Sequence, residues 1–269
     1  MENAVKFKQI GFGARVKSML RVDARRMLRS RLFYILLAAA LVMPILMTVM
    51  MAMMDGSVSV DAVTGAQTVM RGPENAWQNL GTLPGGEAMG GGEVFMMCNI
   101  NMMFMAVAVF VCLFISEDFR SDYAKNLFAV RAEKGDYVIS KTVMGFACGT
   151  LMLIAYFLGS VLGGAIVSLS FSLHGLTAAN LFFCMIAKIL LMLVFVPIFV
   201  LISVSAKERA WLSICGSLGG GMLLFMTVSM ITPLSSTALN VLLCLAGGAM
   251  FSLGLGALST TVLKKTSLV

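Results

Sequence analysis

Charged residues are scarce in this sequence: Asp, Glu, Lys and Arg make up 12% of its 269 residues, while 59% are hydrophobic. A soluble globular domain typically has about 25% charged and about 45–50% apolar residues. The composition therefore excludes an ordinary soluble domain and indicates a chain that resides in a lipid bilayer.

Residues that build metal centres and catalytic sites are also sparse. The chain has one histidine, His174, and its six cysteines form no CxxC pair, so we expect free buried thiols. No GxxxxGK[ST] motif is present to bind ATP, and no acidic residue lies inside an apolar run away from its ends. The sequence predicts no metal, no cofactor bound by this chain and no enzyme acting alone, and it fits an ion-coupled transporter poorly.

What the sequence does have is six long apolar runs. Each is long enough for a helix to cross a hydrocarbon core of about 30 Å at about 1.5 Å per residue. A sheet edge cannot satisfy its hydrogen bonds in lipid, and the alternation of a barrel strand is absent, so we predict an all-α membrane protein. The six predicted spans are 32–54, 94–116, 141–168, 179–204, 210–231 and 239–263.

Lys and Arg are concentrated on one predicted side of these spans. Of the 20 such residues, only Arg71, in the connection between spans 1 and 2, and Lys188, inside span 4, lie elsewhere. The positive-inside rule predicts a multi-pass protein of the plasma membrane with both termini in the cytoplasm. Topology thus explains the net charge of +7, and we expect no nucleic-acid partner.

Three parts follow from this layout. Residues 1–31 form a cytoplasmic N-terminus, residues 32–263 the transmembrane domain, and residues 264–269 a cytoplasmic tail. The transmembrane domain includes a glycine-rich outer loop, 55–93, for which we predict a short helix near Trp77, and a cytoplasmic segment, 117–140.

The N-terminal part contains a basic amphipathic pattern. Apolar residues recur at helical spacing between arginines and lysines, which predicts a helix lying at the cytoplasmic lipid interface. The apolar positions are Val16, Met19, Leu20, Ala24, Met27 and Leu28.

The stretch 116–141 holds ten of the chain's 33 charged residues. Within it, Leu127 and Phe128 stand between Lys125 and Arg131. A solvated loop has little reason to expose two bulky apolar side chains, and no local core is expected to receive them. They could insert into the pocket of a partner protein or dip back into the lipid interface.

Lys188 is the second unusual charge, because a lysine near the bilayer centre costs about 2.5–3.5 kcal/mol. It lies about nine residues into span 4, and Asn99 and Asn101, near the outer end of span 2, could reach it. Lys188 could extend to the outer headgroups, or it could line a substrate path together with these asparagines.

Short motifs in the central segment resemble those of permease subunits of the ABC-2 type of ATP-binding-cassette transporters. Such permeases often have a Glu after span 2, a Lys-Asn-Leu-like short helix, and a Tyr-x-x-Ser-Lys lead into span 3. The matching residues here are Glu117, Lys125, Asn126, Leu127, Tyr137, Ser140 and Lys141.

The resemblance implies an amphipathic elbow helix followed by six spans, with the short helix at about 123–130 acting as a coupling helix. That helix would dock on a separate ATPase subunit, which binds ATP and Mg²⁺, and a second permease, identical or paralogous, would complete the transporter. The implied function is export of an amphipathic peptide, drug or lipid, and a lantibiotic-immunity role suits the small size. The implied coupling residues are Glu117, Arg120, Lys125, Asn126, Leu127, Phe128 and Arg131.

A non-transporting scaffold or sensor subunit is the alternative function. Such a protein would use the same central segment to dock a cytoplasmic partner without ATP. Co-purification with an ATPase would distinguish the two functions.

Overall fold

The structure is a computed structural model that describes residues 11–60, 67–69, 72–81, 99–130, 133–173 and 175–265. The described residues form eight α-helices, one two-stranded antiparallel hairpin and one 3₁₀ turn. The helices are α1 (Phe12–Arg29), α2 (Arg31–Met53), α3 (Met102–Arg120), α4 (Tyr123–Val130), α5 (Lys134–Ile166), α6 (Ala178–Ala206), α7 (Ala210–Ile231) and α8 (Ala238–Lys265). The strands are β1 (Val58–Val60) and β2 (Gln67–Val69), and the 3₁₀ turn is Ala76–Asn79.

Five helices are long and apolar enough to cross a membrane: α2, α3, α5, α6 and α8. A sixth, α7, is apolar over Ala210–Phe225, and its 22 residues span about 33 Å at about 1.5 Å per residue. The predicted all-α membrane fold is confirmed.

Two helices begin at residues that differ from the first residues of the predicted spans. Helix α5 begins at Lys134, so the end of the predicted cytoplasmic segment is helical. The charged residues Glu133 and Asp136 suggested a solvated loop, but both pair with Arg15 of α1, as described below. Helix α3 begins at Met102, after a turn in which the backbone N–H of Asn101 donates to Asn99 Oδ1 (2.9 Å). Residues 94–98 of the predicted span lie outside the described residues.

The helices form a bundle with two distinct ends. At one end, here called the α4 end, Lys134 Nζ at the start of α5 donates to the backbone oxygen of Leu263 in α8 (2.7 Å). At the opposite end, Asn180 Nδ2 in α6 donates to the backbone oxygen of Ser236, just before α8 (3.0 Å). The 3₁₀ turn also lies at this opposite end, where Trp77 Nε1 donates to the backbone oxygen of Phe171 (3.1 Å). The short helix predicted near Trp77 is confirmed.

Helices α2 and α5 pack with their backbones almost in contact. A Cβ added at Gly159 would overlap the backbone oxygen of Leu41 and approach the ring of Pro44 to 2.6 Å. One turn later, a Cβ added at Gly163 would lie 3.1 Å from the Cα of Ile45. The small residues of this Gly-x-x-x-Gly pair therefore permit the close approach of two membrane helices.

Candidate functional site

The short helix α4 is entered through a tight reversal of the chain. Asp122 adopts a left-handed conformation with φ 56°, which Asp tolerates better than most residues because its short side chain can hydrogen-bond locally. Its backbone oxygen accepts from the N–H of Asn126 (3.0 Å), and its side chain pairs with Lys125 Nζ (2.9 Å). This turn directs α4 away from the axis of α3.

One side of α4 packs against the chain's own helices. Ala124 is fully buried, and Leu127 and Phe128 are half-buried against the hydrophobic core. The ring of Phe128 meets that of Tyr137 edge to face, with centroids 5.3 Å apart, and Lys134 Nζ lies 5.7 Å from the centroid of Phe128. The expectation that no local core receives Leu127 and Phe128 is wrong, because the early start of α5 provides one.

The other side of α4 is polar and exposed. It presents Lys125, Asn126 and Ala129, and Glu117 and Arg120 are exposed on the last turn of α3. The hydrogen bond and the charge of Asp122 raise the pKa of Lys125, and the more distant Glu208, between α6 and α7, acts in the same direction. Lys125 is thus held as a cation on this surface. Arg131 lies outside the described residues.

Behind α4 lies a cluster of four charged side chains, here called the ion cluster: Asp23 and Arg26 of α1, Asp118 of α3 and Lys141 of α5. Lys141 Nζ lies between the two carboxylates, 2.8 Å from Asp23 Oδ1 and 2.7 Å from Asp118 Oδ2. Arg26 Nη2 lies 2.6 Å from Asp118 Oδ1, while its Nη1 is 3.7 Å from Asp23 Oδ1, beyond hydrogen-bond distance. Two acids and two bases give the cluster no net charge.

Three of the four side chains of the ion cluster are shielded from solvent. The side chains of Asp23, Asp118 and Lys141 are 0% exposed, and that of Arg26 is 28% exposed. Burial by itself would lower the pKa of Arg26, but the carboxylates of Asp118 and Asp23 outweigh it and raise that pKa above its ordinary value. The acids and bases of the cluster therefore stabilise one another in place of the water that would solvate them at the surface.

Neutral side chains complete the surroundings of the ion cluster. Tyr137 Oη donates to Asp118 Oδ2 (3.0 Å), and Ser140 Oγ donates to Asp23 Oδ2 (2.6 Å). Aromatic rings lie against both cations: Lys141 Nζ is 4.2 Å from the centroid of Phe114, and Arg26 Cζ is 4.4 Å from that of Tyr123. The Tyr-x-x-Ser-Lys motif noted in the sequence thus contributes all three of its named residues to this site.

Helix α1 contacts the rest of the bundle through the same surface. Met19 and Met27, one turn either side of Asp23, are 2% and 5% exposed and belong to the core. Further along, Arg15 pairs with Asp136 (3.0 Å) and Glu133 (2.6 Å), which accounts for the charges at the start of α5. Protein covers Met19 and Met27 of the predicted apolar stripe, while Leu28 of the same stripe is exposed. The location of α1 at the lipid interface stays a prediction.

Sequence reasoning missed Asp23 and Asp118. One signal was available: Asp23 lies four residues from both Met19 and Met27, in the middle of an apolar stripe where a charge needs a buried partner. The burial of Asp118 has no comparable sequence signal, because Asp118 directly follows an apolar run, where the end of a helix is expected to be solvated.

Lys188 of α6 forms a second polar site in the bundle. It is 1% exposed, and its Nζ donates to Asn101 Oδ1 (2.8 Å) and Thr232 Oγ1 (3.0 Å). Asn101 Nδ2 in turn donates to Ser229 Oγ (2.9 Å). The alternative that Lys188 extends to the headgroups is wrong, since its ammonium group ends on protein oxygens. The predicted approach of Asn101 is confirmed.

The Lys188 site differs from the ion cluster in its electrostatics. No carboxylate pairs with Lys188 in the part of the chain that the structure describes. Asn99 reaches the site indirectly, through its hydrogen bond with the backbone N–H of Asn101. Within the same described residues, no group of three or more His, Cys, Asp or Glu side chains could hold a metal ion.

Comparison with known proteins gives one clear relationship. The model of a family described as "ABC-2 family transporter protein" matches residues 25–223, which run from the end of α1 into α7. No curated protein and no solved structure matches the chain. Because the family match covers well over half of its length, the chain belongs to the ABC-2 family of transporter proteins and is a multi-pass membrane permease of the kind that works with an ABC ATPase.

Proposed function

We propose that this chain is the permease subunit of an ATP-driven exporter and that its ATPase subunit docks on the exposed side of α4. The observation that carries the proposal is the division of α4 into two sides. Leu127 and Phe128 attach α4 to the bundle, while Lys125, Asn126 and Ala129 face away from it. A helix held on one side and free on the other can transmit a push from a partner to the spans.

The docking surface is polar, with Glu117 and Arg120 at its edge. Exposed ion pairs each contribute only about 0–1 kcal/mol, so no single charge should dominate binding. Shape and many weak contacts fix the ATPase against α4, while Leu127 and Phe128 keep α4 attached to the permease. Arg131 continues this surface in the proposal.

The orientation follows from charge. The α4 end carries the cationic termini of the helices, including Lys207, Arg209, Lys264 and Lys265, and such clusters favour the cytoplasmic side of the plasma membrane. ATP and Mg²⁺ bind to the ATPase subunit, and a second permease, identical or paralogous, completes the transporter.

The Lys188 site lines the substrate path in this proposal. Its ammonium group is held by Asn101 and Thr232 and supplies a positive charge that no described carboxylate neutralises. Asn99 positions Asn101 through the turn that begins α3. The substrate is an amphipathic peptide, drug or lipid with a polar group for this site, and a lantibiotic is one such peptide.

The experiment is co-purification of the ATPase subunit with permease variants in detergent. Ala129→Trp places a bulky side chain on the exposed side of α4 and should reduce the co-purified ATPase by about tenfold or more, as loss of an interface contact of about 1.4 kcal/mol would. The matched control is Ala257→Trp, since Ala257 is also an exposed helical alanine but lies on α8.

Normal ATPase recovery with Ala129→Trp would overturn docking at α4. ATPase recovery without ATP-dependent uptake of a labelled lantibiotic, lipid or drug into inverted vesicles, in which the cytoplasmic face is outside, would favour the scaffold or sensor function instead.

A further inference from the structure

We propose that the ion cluster locks α1 to α3 and α5, so that α1 moves together with α4 as one rigid unit. In this unit Asp23, Arg26, Asp118 and Lys141 are positioning residues for the transmission of motion. Without the ion cluster, a basic helix before the first span would be interpreted as an anchor at the lipid surface. Such an anchor would not move with α4.

The first support is the way the cluster joins separate helices. Lys141 bonds to a carboxylate of α1 and to one of α3 at once, at 2.8 and 2.7 Å. Ser140 adds a hydrogen bond to Asp23 (2.6 Å), so two consecutive residues of α5 hold the same α1 side chain. Separating α1 from α5 would break all of the bonds to Asp23 and leave charges facing an apolar interior.

The second support is the direct connection from the cluster to α4. Tyr137 donates to Asp118 in the cluster (3.0 Å), and its ring packs on Phe128 of α4 (5.3 Å between centroids). Arg26 of α1 lies over the ring of Tyr123, the first residue of α4, at 4.4 Å. A displacement of α4 therefore acts on α1 through two contacts that do not depend on lipid.

The third support is the charge balance. Each carboxylate of the cluster lies beside at least one base, so neither is left as an unpartnered buried charge, which would be strongly destabilising. Lysines and arginines whose only role is to set the membrane orientation of the chain need no buried acidic partner. Five cations in or next to α1 are exposed in this way: Lys17, Arg21, Arg25, Arg29 and Arg31.

The test compares amide hydrogen exchange of the purified permease in lipid nanodiscs between wild type and the double variant D23N/K141M. This change removes one acid and one base, so the remaining Asp118–Arg26 pair is still balanced. Loss of bonds to charged groups should raise exchange of α1 amides by at least about tenfold, while exchange in α6 and α8 is unchanged. The single variant K141M should be worse than the double, with a lower yield of folded protein, because it leaves an unbalanced carboxylate.

The matched control is Arg25→Gln, which removes an exposed cation from the same helix and should leave α1 exchange at the wild-type level. Unchanged α1 exchange in D23N/K141M would overturn the proposal. So would a double variant that is no better folded than K141M, because the two residues would then not act as a pair.

A second measurement tests whether α1 moves with α4. In the complex with the ATPase, trapping with ATP and vanadate should leave α1 as protected as it is without nucleotide in wild type. An increase in α1 exchange on trapping would show that α1 separates from the unit, and it would overturn the proposal. This arm rests on the proposed function; the comparison of permease variants alone does not, so failure of ATPase docking and failure of the ion cluster are distinguishable.

Discussion

Two lysines are buried among the residues that the structure describes, and their surroundings are opposite. Lys141, at the α4 end, lies between two carboxylates, whereas Lys188, deeper in the bundle, is held by an amide oxygen and a hydroxyl oxygen. Both residues are buried. The charge of Lys141 is balanced by carboxylates, as expected of a structural residue. The charge of Lys188 is not balanced by a described carboxylate, so it can act on a bound substrate.

The strongest way to test this comparison is Lys141→Met. The substitution leaves Asp23 and Asp118 buried with a single cation between them, and breaking a buried ion pair costs about 3–5 kcal/mol. We expect the free energy of unfolding, measured by titration with a denaturing detergent, to fall by this amount. A decrease no larger than that of an exposed lysine variant, such as Lys17→Met, would mean that the ion cluster does not stabilise the fold.

A second substitution tests how much stability is lost when an uncharged buried contact, that between α2 and α5, is disturbed. Gly159→Ala adds only a methyl group, but that group would overlap the backbone of α2, so we expect a loss of about 1–3 kcal/mol from overpacking. Gly254→Ala is the matched control, because a Cβ at Gly254 meets nothing within 4 Å. This control should be neutral, or stabilising by up to about 1 kcal/mol through helix propensity. Equal thermal stability of the two variants would contradict the close packing of α2 on α5.

The smallest effect on stability is expected for Lys188→Met. It leaves the buried Asn101 Oδ1 without its donor, which costs about 1–3 kcal/mol. It also removes the cost of burying an ammonium that no described carboxylate pairs with. The two effects oppose each other, so the free energy of unfolding should change by about 1 kcal/mol or less. Export of a labelled substrate should nevertheless fall, because the proposed path loses its positive charge. A loss of stability as large as that of Lys141→Met would mean that Lys188 is also a framework residue, and the contrast between the two lysines would disappear.

The sequence was sufficient for the parts of the fold that depend on hydropathy. The spans at 179–204, 210–231 and 239–263 each agree with the observed helices α6, α7 and α8 within two residues at either end, because lipid forces long apolar runs to be helical. The contact between Lys188 and Asn101 could also be predicted, because a buried lysine needs a polar partner and the apolar runs contain few polar residues.

The ion cluster could not be predicted in the same way. Its members come from three helices far apart in the chain, and a charge near the end of an apolar run has the same appearance whether water or another charge receives it. Leu127 and Phe128 were misjudged for a related reason: the core that covers them exists only because α5 starts seven residues before its apolar run, at Lys134.

The separation of Asp23 from Lys141 has a consequence for the synthesis of this protein. The two residues are 118 positions apart, so at about 5–20 residues per second the ribosome needs roughly 6–24 s to make the lysine after the aspartate. Through that interval α1 carries a carboxylate whose partners on α5, Ser140 and Lys141, do not yet exist. Of the two cations of the ion cluster, only Arg26, on the same helix as Asp23, has already been made. Asp23 is therefore enclosed only after α3 and α5 have been made and have packed against α1, so the ion cluster forms late in the assembly of this permease.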